Sequence, residues 1–425
     1  MEKSIQAPQI IYLGLQNKAS CIIANLPEAP LTCIDLWCKG GSSFEKKGEE
    51  GIAHFLEHMI FKGSSKLKEG EFDQKIEALG GSSNAATGLD DVHYYVLVPP
   101  KAVTTGIELL LNLVLSPKLP KHQFQLEREV VLEEIAQHKD LPEEQVFQSL
   151  LRNCWPNHSY GRPILGIEKS LKSITPEDMR SFHNRQYQPS NLSLSIAGFI
   201  PGNLEVLLNK SDLTKQRSTA NQKEFNLKTL LPPSFKTGRE EIKVPRLESA
   251  RLTMAWPLSA ANNQFMIVGA DIATSILAEG RRSRLVQHLR ENLQIVESVD
   301  MEITVLEKAS LFLLEITCLE KDLERVEKEI IFLLTNCLRN EPTDKEMKRA
   351  KELVKNALCF GLELPSQIAG ISASQALWDR HQALLEPLKY LENWNSSNIQ
   401  KVFFAHLQQK NSFTLIARPG RDKSE

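Results

Sequence analysis

Two histidines and a glutamate stand close together near the N-terminus, in the order His54, Glu57 and His58. In a helix, residues four apart project from the same face, so both imidazoles can reach one metal ion. Neutral imidazole nitrogens bind Zn²⁺ at about 2.0–2.1 Å. Glu57 lies beside that face, where a carboxylate can accept a proton from water without binding the metal itself. The spacing therefore predicts a zinc site with a general base.

A catalytic zinc site usually has a third protein ligand, and a second predicted helix offers one. The helix predicted from Lys121 to His138 is rich in glutamate, and its Glu127 and Glu134 are two turns apart, on one face. One carboxylate would complete a His₂Glu site while the other supports a ligand. The spacing alone does not choose between Glu133 and Glu134. The five-residue motif by itself also fits an ordinary amphipathic helix with exposed polar side chains.

The elements that must position these residues alternate between strand-like and helix-like segments. Gly51–Phe61 carries the helical period around the histidines, and Asp91–Val98 predicts a strand. Thr175 followed by Pro176 predicts the start of a helix. The second half of the chain repeats the order of elements with little residue identity. The sequence therefore predicts an α+β fold of two similar domains, each a mostly antiparallel sheet covered by helices.

A polar, charged stretch with a Pro-Pro pair separates the two halves, and such a composition is typical of a linker. We expect an N-terminal, zinc-bearing domain at residues 1–215, a linker at 216–245 and a C-terminal domain at 246–425. A length of 425 residues agrees with two or three domains.

The composition argues against several classes of protein. Lys and Arg number 51 against 53 Asp and Glu, and a net charge of −2 does not favour binding to nucleic acid. No stretch reaches the roughly 18 apolar residues of a membrane-spanning helix, and the N-terminus does not resemble a secretory signal. We therefore expect a cytoplasmic protein without membrane or nucleic-acid partners. The seven cysteines form no CxxC pair and predict buried or half-buried, reduced thiols.

Longer runs around these residues resemble one known family, the pitrilysin and mitochondrial-processing-peptidase family of zinc peptidases. The likeness is carried by GIAHFLEHMIFKGS at 51–64, GGSSNAATGLDDVHYYVLV at 80–98 and LEREVVLEEIAQHKDLP at 126–142. The first run contains H-x-x-E-H, the inverzincin signature. The resemblance implies Zn²⁺ as the cofactor, held by His54, His58 and Glu134. Glu57 is then the general base, and Glu127 is a supporting acid near the metal.

The resemblance also implies how substrates bind. In the family, a peptide adds as an extra strand to a sheet edge, within a chamber between two facing domains. The matching edge here contains Asn84, Ala85 and Ala86, whose small side chains allow one backbone to approach another. The same residues also fit an ordinary turn. The implied function is that of a zinc-dependent endopeptidase acting on peptides or unfolded segments.

One landmark of the family is altered. The family places an Arg and, seven residues later, a Tyr in the second domain, where they help to bind the oxyanion; here these positions hold Arg290 and Glu297. An ionised glutamate only accepts hydrogen bonds, so it cannot replace the phenol donor. We therefore expect the catalytic subunit of a heterodimer whose paralogue supplies the Arg–Tyr pair. The alternative is a protein that works alone or as a homodimer, with reduced or altered activity, to which His158 or Tyr160 could contribute.

A function of a different class stays open, that of a non-catalytic structural or assembly subunit of the same family. Such a subunit would bind peptides or partners without hydrolysing them. The presence of Glu57 argues against it, because such a subunit does not need a general base. Arg290 also fits an ordinary surface arginine paired with a neighbouring carboxylate.

Overall fold

The computed structural model describes residues 8–215 and 231–420. The chain divides into two compact units, each containing one sheet covered by helices. Their described residues are 8–136, 163–215 and 359–384 for the first unit, and 137–162, 231–358 and 385–420 for the second. Two sheets with abundant helix confirm the predicted α+β class.

The strands form two sheets of matching order. In chain order the strands are β1 Ile10–Gly14, β2 Ser20–Asn25, β3 Thr32–Cys38, β4 Ser82–Thr87, β5 Val92–Val98, β6 Leu192–Gly198, β7 Gly238–Pro245, β8 Ala250–Leu258, β9 Ser298–Thr304, β10 Ser310–Cys318 and β11 Phe413–Gly420. The first sheet has the order β1-β2-β6-β3-β5-β4, and the second has the order β7-β11-β8-β10-β9. The pairs β2–β6 and β7–β11 are parallel, and the other pairs are antiparallel. Without β1 the two sheets correspond strand for strand, which confirms two similar sheets.

Helices cover both sheets. They are α1 Ile52–Ile60, α2 Glu71–Ala78, α3 Val103–Leu115, α4 Lys121–Asp140, α5 Pro142–Cys154, α6 Glu168–Ser173, α7 Pro176–Gln186, α8 Leu204–Lys210, α9 Asp212–Lys215, α10 Gln264–Leu277, α11 Leu323–Cys337, α12 Asp344–Phe360, α13 Pro365–Leu377, α14 Glu386–Asn393 and α15 Ser396–Ile399. Val286–Asn292 and Gln400–Phe404 are π-helical. The predicted cap of α7 is confirmed, since Thr175 and Asp178 form a capping box around Pro176, the first residue of the helix.

One helix from each half of the sequence belongs to the unit formed mainly by the other half. Helix α13 packs on β2, β3 and β6, where Ile368 and Ala369 share a buried apolar cluster with Cys33 and Ala197. Helix α5 packs on β7, β8 and β11. The compact units are thus interleaved along the chain, whereas the domains expected from the sequence are consecutive. Sequence composition could not indicate this, because an amphipathic helix does not specify which sheet covers its apolar face.

The C-terminal part of the predicted linker at 216–245 is a strand in the structure. Residues 216–230 lie outside the described residues. Residues 238–245 form β7, which pairs with β11. Most side chains of β7 are exposed because it is an edge strand, and charged side chains on an edge strand discourage pairing with another chain. This polar edge strand therefore has the composition of a linker.

Two further expectations concern the described residues. The cysteines are free thiols, as predicted, with Cys359 partly exposed and the others buried. Across residues 8–215 and 231–420, every helix is too short or too polar to cross a membrane.

Candidate metal and active site

Helix α1 begins at a buried carboxylate. The Oε1 atom of Glu45 accepts hydrogen bonds from the backbone N–H groups of Gly51, at 3.1 Å, and Ala53, at 3.0 Å. Gly51 has a φ of 95°, a conformation that favours glycine, and a Cβ atom there would lie 2.6 Å from the carbonyl oxygen of Leu165. These contacts fix the first turn of α1 and therefore the direction in which His54 projects.

Helix α4 supplies the carboxylates. Phe124, Glu127 and Val131 are buried on one face of the helix, and the Phe124 ring lies 4.7 Å from the ring of Phe55 in α1. Glu134 is two turns after Glu127, so it extends from the same face towards α1. The aromatic contact between the helices therefore holds these two carboxylates beside the histidines.

His54, His58 and Glu134 converge, with one nitrogen or oxygen atom of each lying within 4.8 Å of the others. The Oε2 atom of Glu134 is 3.6 Å from His54 Nε2 and 3.5 Å from His58 Nε2. These distances exceed the roughly 2.7–3.2 Å of a normal N–H···O hydrogen bond. Two ligands at about 2.0–2.1 Å from a tetrahedral Zn²⁺ ion lie about 3.4 Å apart. The types of donor atom and their spacing therefore fit a zinc ion.

Glu127 and Lys62 orient one of these histidines. His58 Nδ1 is 2.9 Å from Glu127 Oε1, and Glu127 Oε2 is 2.7 Å from Lys62 Nζ. Because an ionised carboxylate only accepts hydrogen bonds, His58 Nδ1 carries the proton and donates a hydrogen bond to Glu127. The lone pair of His58 Nε2 is then directed towards Glu134, as a metal ligand requires. The sequence interpretation included Glu127 but missed Lys62, whose signal was its position one helical turn after His58.

Glu57 lies beside this cluster without joining it. Its Oε2 atom accepts a hydrogen bond from Thr87 Oγ1 at 2.5 Å. Burial raises the pKa of Glu57, although the Thr87 hydrogen bond and the nearby His58 act in the opposite direction. A carboxylate with a raised pKa is a better proton acceptor near neutral pH. The geometry suits a general base, and the contact with Thr87 was not anticipated from the sequence.

Strand β4 places the expected substrate-binding residues at the edge of the first sheet, against α1. Asn84, Ala85 and Ala86 pair with β5 on one side, and no described strand pairs with the other side. Asn84 Oδ1 accepts a hydrogen bond from the N–H of Ala85 at 2.9 Å. These residues thus form a strand rather than a turn, and an open edge of this kind can accept an added peptide strand.

Arg290 and Glu297 belong to the second unit. Arg290 lies in the π-helical segment, and its Nε atom is 3.8 Å from Glu291 Oε1. That contact is the one expected of an ordinary surface arginine paired with a neighbouring carboxylate. Glu297 Oε1 accepts a hydrogen bond from Ser249 Oγ at 2.8 Å. The position of the family tyrosine is thus occupied by a hydrogen-bond acceptor.

His158 and Tyr160, which were considered as catalytic assistants, make internal contacts in the second unit. Tyr160 is fully buried, and its hydroxyl oxygen accepts a hydrogen bond from the N–H of Lys308 at 3.1 Å. His158 Nδ1 accepts a hydrogen bond from the N–H of Tyr160, and its Nε2 atom lies 3.1 Å from the carbonyl oxygen of Leu231. These contacts stabilise the fold and do not support a catalytic role.

Comparison with protein families agrees with the fold and with this constellation. Residues 21–168 match the family model described as Insulinase (Peptidase family M16), and residues 173–354 match the model described as Peptidase M16 inactive domain. The chain belongs to peptidase family M16, the pitrilysin family.

Individual relatives extend over nearly the whole chain. An uncharacterized zinc protease of Bacillus subtilis, YmxG, is 27% identical over 91% of this chain and 92% of its own length. The zinc protease PqqE of Helicobacter pylori is 25% identical over 97% of this chain and 90% of its own length. Among solved structures, a protease from Helicobacter pylori has a TM-score of 0.87 at 23% identity and covers 97% of this chain and 100% of that chain. That likeness shows a shared fold.

Proposed function

We propose that this chain is a zinc-dependent endopeptidase. The observation that carries the proposal is the convergence of His54, His58 and Glu134 at the spacing of zinc ligands, with Glu57 beside them. The open edge of β4 lies against α1, the helix that carries the two histidines, and could bind an extended peptide. The relatives named zinc proteases support the same class of activity.

In the proposed reaction, His54, His58 and Glu134 hold Zn²⁺, which when bound polarises a water molecule and the scissile carbonyl group. Glu57 takes a proton from the water as the water oxygen forms a bond to the carbonyl carbon. The carbon–nitrogen bond then breaks, and Glu57 returns the proton to the leaving amine. Glu127 keeps the imidazole of His58 in its orientation throughout.

We propose that the substrate binds in extended form along β4, with backbone hydrogen bonds to the segment of Asn84, Ala85 and Ala86. Backbone recognition favours peptides and unfolded segments, because most backbone N–H and C=O groups of a folded protein are already hydrogen-bonded. The chamber implied by the family resemblance would add a size limit. It stays a prediction, as does the cytoplasmic location, which cell fractionation can test.

We further propose that full activity requires a second subunit. The position of the family tyrosine holds Glu297, whose negative charge would oppose an oxyanion. A paralogue with an intact Arg–Tyr pair would supply the missing donor, and Arg290 of this chain would contact substrate. The isolated chain should then hydrolyse unstructured peptides weakly, and addition of the paralogue should increase the rate. Full activity of a homodimer would contradict the heterodimer proposal.

The test of catalysis combines metal analysis with Glu57→Gln. The chain is purified from its host with any partner that accompanies it, and zinc content and cleavage of quenched fluorescent peptides are measured. We expect the wild type and Glu57→Gln to contain zinc, and only the wild type to cleave the peptides. A zinc-loaded wild type that cleaves nothing, with its partner present, would favour the second candidate, a non-catalytic subunit. The observation that favours this second candidate is that Glu297, a hydrogen-bond acceptor, occupies the position of the family tyrosine.

A further inference from the structure

We propose that Thr87 is a positioning residue that holds the general base Glu57 from the strand to which the substrate adds. This inference rests on the proposed peptidase function and concerns the same site. The observation behind it is the hydrogen bond that Thr87 Oγ1 donates to Glu57 Oε2 at 2.5 Å.

The direction of this hydroxyl follows from the alternation of side chains along β4. Ser83, Ala85 and Thr87 share one partly covered face of the strand, while the residues between them are exposed on the other face. Thr87 pairs with Val92, which is buried, so this face of the strand is turned towards the helices. A β-branched side chain also has restricted rotation about χ1. The backbone of β4 therefore determines where the Thr87 hydroxyl points.

A glutamate base needs such a partner. The Glu57 side chain has three rotatable bonds, and proton transfer requires its oxygen to stay within hydrogen-bond reach of the reacting water. The bond from Thr87 holds Oε2, which leaves Oε1 as the oxygen that takes the proton. A side chain locked by a neighbour keeps catalytic geometry better than one held by its own rotamer preference alone.

The location of Thr87 adds a second consequence. The base is tied to β4, and the substrate strand is proposed to pair with Asn84, Ala85 and Ala86 of the same β4. The scissile bond and the base therefore take their positions from one strand. Movement of that strand would carry both groups together, so their separation would be maintained.

Thr87→Val tests the inference because it removes the hydroxyl while keeping the shape of the side chain. We expect kcat to fall by about 10–100-fold, a part of the roughly 10²–10⁴-fold that a general base contributes. KM and zinc content should stay within about twofold, because Thr87 contacts neither substrate nor metal ligand in this arrangement. Thr87→Ser keeps the donor and should restore most of kcat.

Ser83→Ala is the matched control. Ser83 lies on the same face of β4, and its Oγ donates a hydrogen bond to Asp73 Oδ1 of α2 at 3.4 Å. This variant also removes a hydroxyl–carboxylate contact between the strand and a helix, but away from Glu57. It should leave kcat unchanged. An equal fall of kcat in both variants would mean that the strand as a whole is disturbed, and would overturn the inference.

The remaining outcomes separate this inference from the proposed function. Wild-type kcat in Thr87→Val would overturn the positioning role while peptidase function stands. Zinc loss, or a raised KM at unchanged kcat, would assign Thr87 to metal binding or substrate binding and would also overturn it. A zinc-loaded wild type without cleavage, even with its copurified partner, would sink the proposed function and the inference together.

Discussion

The two sheets correspond strand for strand, with the order β2-β6-β3-β5-β4 in the first unit and β7-β11-β8-β10-β9 in the second. The first α-helix that follows the middle strand in the chain is α1 in the first unit and α10 in the second. Helix α1 carries two histidines and a glutamate, whereas α10 has Asp271 as its one ionisable side chain and is otherwise mostly apolar. Within the described residues, the potential metal cluster lies in the first unit alone. The same architecture therefore carries the candidate metal site in one unit and an apolar packing helix in the other, because chemistry depends on side chains rather than on the fold.

The long helices α4 and α12 extend the comparison. In the first unit α4 brings Glu134 to about the spacing of zinc ligands from the histidines of α1. In the second unit α12 brings Arg349 to the end of α10, where its guanidinium donates hydrogen bonds to the carbonyl oxygens of Ser275 and Glu279, each at 2.7 Å. Donors and acceptors are matched there without an ion. The first unit thus contains the candidate metal ligands, whereas the equivalent helices of the second unit are connected by direct hydrogen bonds.

The largest effect is expected from a substitution that removes a candidate metal ligand of the first unit. Glu134→Gln should remove zinc from the protein and lower peptidase activity by at least about 10³-fold, because only two protein ligands remain. Glu133→Gln is the matched control, since Glu133 is exposed on the neighbouring face of α4. Elemental analysis and peptide cleavage measure both effects. Zinc retained at wild-type affinity in Glu134→Gln would contradict the assignment.

A smaller effect should follow from Lys62→Met. Loss of the ammonium group beside Glu127 leaves that carboxylate less firmly held against His58, and such changes around a metal ligand typically weaken binding by about 10–100-fold. Chelator competition measures the zinc Kd. Lys66→Met is the control, because Lys66 pairs with Asp212 on the surface of the same unit. An unchanged Kd in Lys62→Met would show that Glu127 needs no cation to orient His58.

The second unit should differ from the first in its response to pH. Burial, together with the charge of Glu279, raises the pKa of Asp271 in α10 from 3.8 to about 7. The folded chain then binds this proton more tightly than the unfolded chain. The local free energy of unfolding should therefore fall as pH rises from about 4 to 7, and level off above that. The full shift corresponds to about 4 kcal/mol, of which about 2 kcal/mol belongs to the range from pH 5.5 to pH 7.

Hydrogen exchange of the α10 amides at pH 5.5 and pH 8, corrected for intrinsic rates, measures this local stability. Asp271→Asn should remove the pH dependence and protect α10 at pH 8. Asp300→Asn is the control, because Asp300 is exposed on β9. In the first unit the opposite trend is expected at His183, since burial lowers the pKa of that imidazole to about 4 and stability should fall as pH drops from about 6.5 towards 4. Equal protection of α10 at both pH values would refute the prediction for Asp271.

The same comparison shows what sequence can predict. Periodicity and short-range signals sufficed for α1, for the cap at Thr175 and for the repeated order of elements, because these depend on neighbouring residues. Spacing left Glu133 and Glu134 as alternatives, and the fold turns Glu134 towards the histidines. The contacts of Thr87 with Glu57 and of Lys62 with Glu127 were missed, because they depend on how a strand edge and two helices meet in space. Strand β7 was missed because an exposed edge strand is polar.

The smallest expected effect tests how the second unit is joined. Arg349→Met keeps most of the apolar length of the side chain but removes the donors to Ser275 and Glu279. The loss should lower local stability at the end of α10 by about 1 kcal/mol, the usual net value of hydrogen bonds that water can replace. Faster exchange of amides near Leu277, with zinc content and peptide cleavage unchanged, would be the signature. Arg349 donates hydrogen bonds at the end of α10 and is not one of the candidate zinc ligands. A change in zinc content would therefore contradict the view that the metal site depends on the first unit alone.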